Sequence, residues 1–144
     1  MEKIDDCISF LSGKAAQTVA RLTRERLTSY GVTPVQYAVL HVLWEHDGLS
    51  AAELCTRLTI DSATVTGVID RLEKLGLVDR RPDSIDRRIN RLFLTQEGHA
   101  RRAPLQAVID GLNDEIARAF GTDAPQLWSL LRRLAALGTR STIA

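Results

Sequence analysis

Apolar residues in the first part of the chain fall at Ile4, Ile8, Leu11, Ala15, Val19 and Leu22, in steps of three and four. That spacing predicts one long amphipathic helix from Met1 to about Tyr30, closed by Gly31. A stripe of this length at the edge of a small chain calls for a partner chain to bury it. Thr33 and Pro34 then supply a cap and a first helical residue. The helix that follows, Val35 to about His46, carries Tyr37, Ala38, Val39, Leu40, Val42, Leu43 and Trp44 almost all round, so it belongs at the centre of the fold. Asp47 and Gly48 end it. Ser50 precedes a helix with Ala51, Leu54 and Leu58 on one face, and a tight break follows at Thr59–Ile60. Asp61 caps the next helix, Asp61 to Leu75, whose apolar face is Val65, Val68, Ile69 and Leu72 and whose end is Gly76. A strand, a basic turn and a second strand lead to Thr95, which caps a final pair of helices. The first of these carries Leu105, Val108, Ile109, Leu112, Ile116 and Phe120, with Pro104 inside it. That proline is expected to kink the helix by removing a bond to the carbonyl of Ala100. Gly121-Thr122-Asp123 breaks the run, and Pro125 starts the last helix with Leu127, Leu130, Leu131, Leu134 and Leu137.

The class this order predicts is mainly α with a small β-hairpin wing (α+β): a winged helix-turn-helix flanked by long N- and C-terminal dimerisation helices. Residues 1–32 and 96–144 form the helical dimerisation region and residues 33–95 the winged helix-turn-helix, in one continuous module. The face of the second helix-turn-helix helix opposite its apolar side offers Ser62, Thr64, Thr66, Gly67 and Asp70. Short polar side chains approach base edges closely, which points to duplex DNA. The turn between the strands holds Arg80, Arg81, Arg87, Arg88 and Arg91 against only Asp83 and Asp86, a composition suited to phosphate.

Composition narrows this further. With 144 residues and a formal charge of +1, the chain is one modest module and no bulk polyelectrolyte binder, so its positive charge is local. Cys7 and Cys55 are too few and too scattered for a disulfide framework or a zinc site. No apolar run reaches a membrane span and no export signal opens the sequence, so a cytoplasmic protein without membrane partners is expected. No phosphate loop, nucleophile elbow or motif-placed carboxylate pair suggests an enzyme, and no cofactor is implied. His41 and Glu45, one turn apart, are the best pair for a cation, and a lone histidine on a buried helix is a weak one.

TPVQYAVLHVLWEHDGLSAAEL, the block IDRLEKLGLVDRRP, the triplet Asp86-Arg87-Arg88 and LFLTQEG occur here in order. In this set the chain resembles the MarR family of bacterial transcriptional regulators, over essentially its whole length. The resemblance implies a homodimer with interlocked first and last helices, binding a pseudo-palindromic operator, usually as a repressor. It implies DNA contacts by Ser62, Thr64, Thr66 and Asp70, with Arg71 touching phosphate or bracing the wing. In the wing, Asp86 would orient Arg88 for the minor groove, with Arg87 and Arg81 beside it. Asp70 and Asp61 bring negative charge towards DNA, so each serves either as a reader or as a cap or brace.

Family members commonly release DNA when a small aromatic acid, a phenolic compound or an acyl-thioester enters a cleft next to the DNA reader. Here Phe10, Leu11, Lys14 and Arg21 from the first helix and Tyr37, Leu40, His41 and Trp44 from the second are the candidate lining, for an aromatic or phenolic carboxylate or its CoA thioester. Simple core packing is the competing account of Tyr37, Leu40 and Trp44. A second branch senses organic peroxide through a cysteine whose place falls at Ser9, with Cys7 two residues away. Thr23 stands where that branch has a tyrosine, and no cation close in sequence acidifies Cys7, which counts against that branch. A redox regulator working through Cys7 and a winged helix used only for protein interaction are the alternatives.

Overall fold

A computed structural model of the chain describes residues 3–138. The long first helix begins later than its stripe suggests: Ile4–Asp6 is a short 3-10 helix, Cys7 is extended, and α1 runs Ile8–Leu27. The predicted start at Met1 lies outside the described residues. Gly31 closes the segment at φ +68°, a left-handed value that glycine adopts without strain. Helix α2, Pro34–Glu45, starts at a capping box in which Thr33 accepts the N–H of Gln36 and the Gln36 side chain accepts the N–H of Thr33.

Next come β1 (Leu49–Ser50), α3 (Ala51–Leu58) and α4 (Ser62–Lys74). Ser50 and Glu53 form a second capping box. Thr59 ends α3 at φ 53°, the one positive-φ residue besides glycines among those described. Asp61 caps α4. Strands β2 (Val78–Pro82) and β3 (Asn90–Leu94) form the hairpin. Sequence periodicity missed β1, a two-residue strand antiparallel to β3 that makes the sheet three-stranded in the order β1-β3-β2.

Two more short elements correct the reading of the C-terminal helices. The chain forms α5 (Gln96–Ala100) and then α6 (Arg102–Phe120). The Thr95-capped run is interrupted at Arg101, next to the Ala100 carbonyl that Pro104 cannot bond, which is the opening expected of that proline, and Pro104 itself sits in the first turn of α6. Helix α7, Ala124–Leu137, follows a 3-10 turn at Gly121–Asp123.

The chain divides into two compact units between Val108 and Ile109. In the first, α2 is central as its composition demands: Val39, Leu40, Leu43 and Trp44 are buried with Leu54 of α3, Val65, Ile69 and Leu72 of α4, and Leu92 and Leu94 of β3. The Trp44 indole N–H donates to the carbonyl of Gly98 at 3.0 Å, which satisfies its one polar atom. In the second unit, Leu130, Leu131, Leu134 and Leu137 are exposed along α7. No described helix is long and apolar enough to cross a membrane.

Candidate nucleic-acid interface

Helix α4 and the β2–β3 hairpin carry the residues singled out for DNA. Burying Val65, Val68, Ile69 and Leu72 turns Ser62, Thr64, Thr66, Asp70 and Arg71 outward, and all five are exposed. Asp61 Oδ1 accepts the Thr64 N–H at 2.8 Å and Oδ2 accepts the Thr64 hydroxyl at 2.7 Å. The hydroxyl and then the backbone N–H of Thr64 hold the Asp61 carboxyl below its ordinary value. Asp61 is therefore a cap, and the proton of Thr64 is already committed, leaving that oxygen as an acceptor.

Asp70 is also engaged. It accepts from Arg80 Nη2 at 2.6 Å, while Arg80 Nη1 pairs with Glu73, so one β2 guanidinium straddles two acids of α4. Asp70 thus braces α4 against the wing. Among the described residues Arg71 and Arg87 have no ion-pair partner.

The five arginines of the wing divide by what they touch. Arg91 Nε donates to Asp83 Oδ1 at 2.5 Å, and its Nη1 reaches the carbonyl of Gly48 at 3.0 Å and Glu53 at 3.4 Å. It ties the hairpin to α3 and to the loop before β1, so Arg80 and Arg91 are structural. The Arg81 guanidinium lies 4.7 Å from the Phe93 ring centroid and keeps its charge at the surface. Arg88 is gripped by Asp86: Nε to Oδ1 at 3.0 Å and Nη2 to Oδ2 at 2.9 Å, with the Arg88 backbone N–H also donating to Oδ1. This fork leaves both Nη1 hydrogens free and a side chain 90% exposed. The Arg88 side chain and then its backbone N–H depress the Asp86 carboxyl.

Asp83 organises the tip. The N–H of Asp86, then the Arg91 guanidinium and the N–H of Ile85, lower its pKa from 3.8 to about 2. Glu53, Glu73, Arg80 and Arg91 escaped the sequence reading as braces because their partners lie well away along the chain. Only the Ser50–Glu53 capping spacing gave a local signal.

The candidate effector residues form two separate groups. On α2, Tyr37 Oη is 3.2 Å from His41 Nδ1, and Trp44 stands edge-on to both rings at 6.0 Å. His41 Nε2 lies 3.3 Å from Glu45, and among the described residues no cluster of three or more His, Cys, Asp or Glu is placed to hold a metal. Leu40 is fully buried and is core. On α1, Phe10 and Leu11 are exposed, Lys14 Nζ sits 5.2 Å from the Phe10 ring centroid, and Arg21 pairs with Glu25 at 3.0 Å. No ring contact among the described residues joins Phe10 to the α2 cluster.

Cys7 precedes α1 and does not lie on one of its faces. Its Sγ is 3.1 Å from Ser9 Oγ, and that hydroxyl, with the N–H groups of Phe10 and Ser9, lowers the thiol pKa without any cation.

A family model described as the MarR family matches residues 32–89. The HTH-type transcriptional regulator TtmR of Methylorubrum extorquens (strain PA1) is 35% identical over 136 residues, covering 94% of this chain and 68% of that protein. The organic hydroperoxide resistance transcriptional regulator of Bacillus subtilis (strain 168) is 29% identical over 133 residues, covering 92% and 89%. The transcriptional repressor CouR, solved on a 23-mer DNA duplex, superposes with a TM-score of 0.86 at 26% identity over 96% of each chain. CouR of Rhodococcus jostii RHA1 bound to p-coumaroyl-CoA superposes at 0.84 and 24% identity, over 100% of this chain and 99% of that one.

Proposed function

The chain belongs to the MarR family of transcriptional regulators, a family of DNA-binding proteins and not of enzymes, and we propose that it is a ligand-responsive repressor. It binds a pseudo-palindromic operator as a homodimer, with α4 in the major groove and the β2–β3 wing along the minor groove. What carries this reading is the Asp86–Arg88 fork, a guanidinium aimed by a carboxylate yet 90% exposed. A narrow A·T-rich minor groove concentrates negative potential and suits such a group. Arg87, Arg71 and Arg81 supply the phosphate contacts. With its proton held by Asp61, Thr64 accepts from an exocyclic amine of adenine or cytosine, whereas Ser62 and Thr66 can also donate.

Fluorescence anisotropy on duplexes selected by the chain from a random pool tests the reading. Affinity should fall steeply between about 50 and 200 mM salt. Arg88→Ala should weaken binding most at A·T-rich flanks, and Thr64→Ala or Thr66→Ala should change base preference. Unchanged binding in all three variants removes the assignment.

The effector is an aromatic or phenolic carboxylate, or its CoA thioester, docking against the half-buried Tyr37 and His41, whose hydroxyl and ring nitrogen lie 3.2 Å apart over the buried Trp44. Its binding favours a dimer whose recognition helices no longer match successive major grooves. Salicylate-like acids and aromatic acyl-thioesters should raise the melting temperature and weaken operator binding, and no change in either excludes this class.

Cys7 favours a second reading, in which oxidation of its acidified thiol relieves repression. In that case Cys7→Ser abolishes release by organic hydroperoxide and leaves release by acids intact.

A further inference from the structure

At the tip of the wing Ile85 is 94% exposed, more than any other large apolar residue described. Exposure alone decides nothing, since single apolar side chains are common on protein surfaces. What separates Ile85 from these is the frame that holds it. Asp83 Oδ2 accepts the N–H of Ile85 at 3.2 Å and that of Asp86 at 2.9 Å, while Asp83 Oδ1 is gripped by Arg91. The Asp83 N–H donates to the carbonyl of Ile89 at 2.8 Å, and the Ile89 N–H returns to the carbonyl of Asp86 at 3.0 Å. The backbone on both sides of Ile85 is therefore tied down, so its projection is set before any partner arrives. Asp86 follows it, turned to hold Arg88, and then come Arg87, without an ion-pair partner among the described residues, and the forked Arg88 itself.

An apolar tip beside two guanidinium groups, one of them aimed by Asp86, matches a partner with anions outside and apolar surface within. The minor groove of duplex DNA has that section, with phosphates at the rims and stacked base edges at the floor. A lipid surface shares the charge pattern, but one branched side chain is far too little apolar area to anchor a protein there.

We propose that Ile85 is an apolar wedge that enters the operator's minor groove beside Arg88, partly unstacks one base step and bends the duplex. This rests on the DNA-binding reading and adds to it a specificity for deformability. Pyrimidine–purine steps open most easily, so a TA or CA step should be favoured under the wing, at a position where no hydrogen bond reads sequence.

The test uses the full chain and duplexes selected by it from a random pool, remade with either a TA step or an A-tract under the wing. Ile85→Ala should weaken binding to the TA duplex roughly tenfold and leave the A-tract duplex nearly unchanged. Donor–acceptor dyes on the duplex ends should show a smaller bend. The slope of affinity against salt and the melting temperature should stay as in the parent chain, because no charge and no packing is removed. Arg88→Ala, in contrast, should reduce the salt slope. If Ile85→Ala matches the parent in affinity and bend while Arg88→Ala weakens binding, the wedge is excluded and the DNA-binding reading stands. Equal weakening on both duplexes without a change in bend also excludes the wedge. Binding of the parent chain to phosphatidylserine vesicles that Ile85→Ala abolishes would give the tip to a membrane instead. If the parent chain selects no duplex, the reading beneath the wedge fails with it.

Discussion

Gly98 has no room for a side chain. A Cβ built on it would lie 2.1 Å from the carbonyl oxygen of Leu77, and its own carbonyl receives the Trp44 indole. Gly98→Ala must push α5 away from the Leu77 backbone and strain that hydrogen bond. Overpacking of this kind costs about 1–3 kcal/mol, to be read as a lower urea midpoint with an unchanged slope. The wing answers to pH through a different residue. Asp83 has a folded pKa of about 2 against 3.8 for a free side chain. Its contribution to stability is therefore complete above about pH 4 and disappears as the pH falls through about 2. A carboxyl-carbon NMR titration should place the Asp83 midpoint near 2, with the amide signals of Ile85 and Asp86 shifting along the same curve. A midpoint at or above 3.8 means that the carboxylate is not held by those groups.

Among the elements, α4 depends on the cap at its N-terminus. Asp61→Ala removes the acceptor of the Thr64 N–H and should cost about 1 kcal/mol in chemical unfolding. It also frees the Thr64 hydroxyl to donate, so base preference should shift in the same variant. Local chemistry made this end legible from sequence: Thr33, Ser50, Asp61 and Thr95 each cap the helix that follows them, and each bond spans three residues. What escaped was non-local. Strand β1 is two residues long and exists only because β3 lies beside it, so no period reveals it. Asp70 appeared as a possible reader of bases because its partner Arg80 comes from another element. Pro104 was legible as an interruption of the Thr95-capped run, and the break at Arg101 leaves the proline in the first turn of a new helix, where it fits.

At the level of the whole molecule, α7 leaves Leu130, Leu131, Leu134 and Leu137 in water, and α1 leaves Ile8, Leu11 and Val19 there. Apolar rows of that extent are covered in a stable protein, and a second copy of the chain is the proposed cover. Leu134→Glu should shift the sedimentation coefficient from dimer to monomer and lower operator affinity without unfolding the single chain. A variant that still sediments as a dimer would take α7 out of the interface. Because the Gly48 N–H bonds the carbonyl of Leu92, and Leu49 pairs with Leu92, the segment holding α3, α4 and β2 leaves and re-enters the fold at one point. Within that segment only the outward face of α4 is open to change: Leu54, Val65, Ile69 and Leu72 share one core with Val39, Leu40 and Leu43 of α2, so any altered reader has to keep the same apolar side. A shift in what α4 presents can therefore leave α2 and the hairpin in place, whereas a change of its buried side is felt by both.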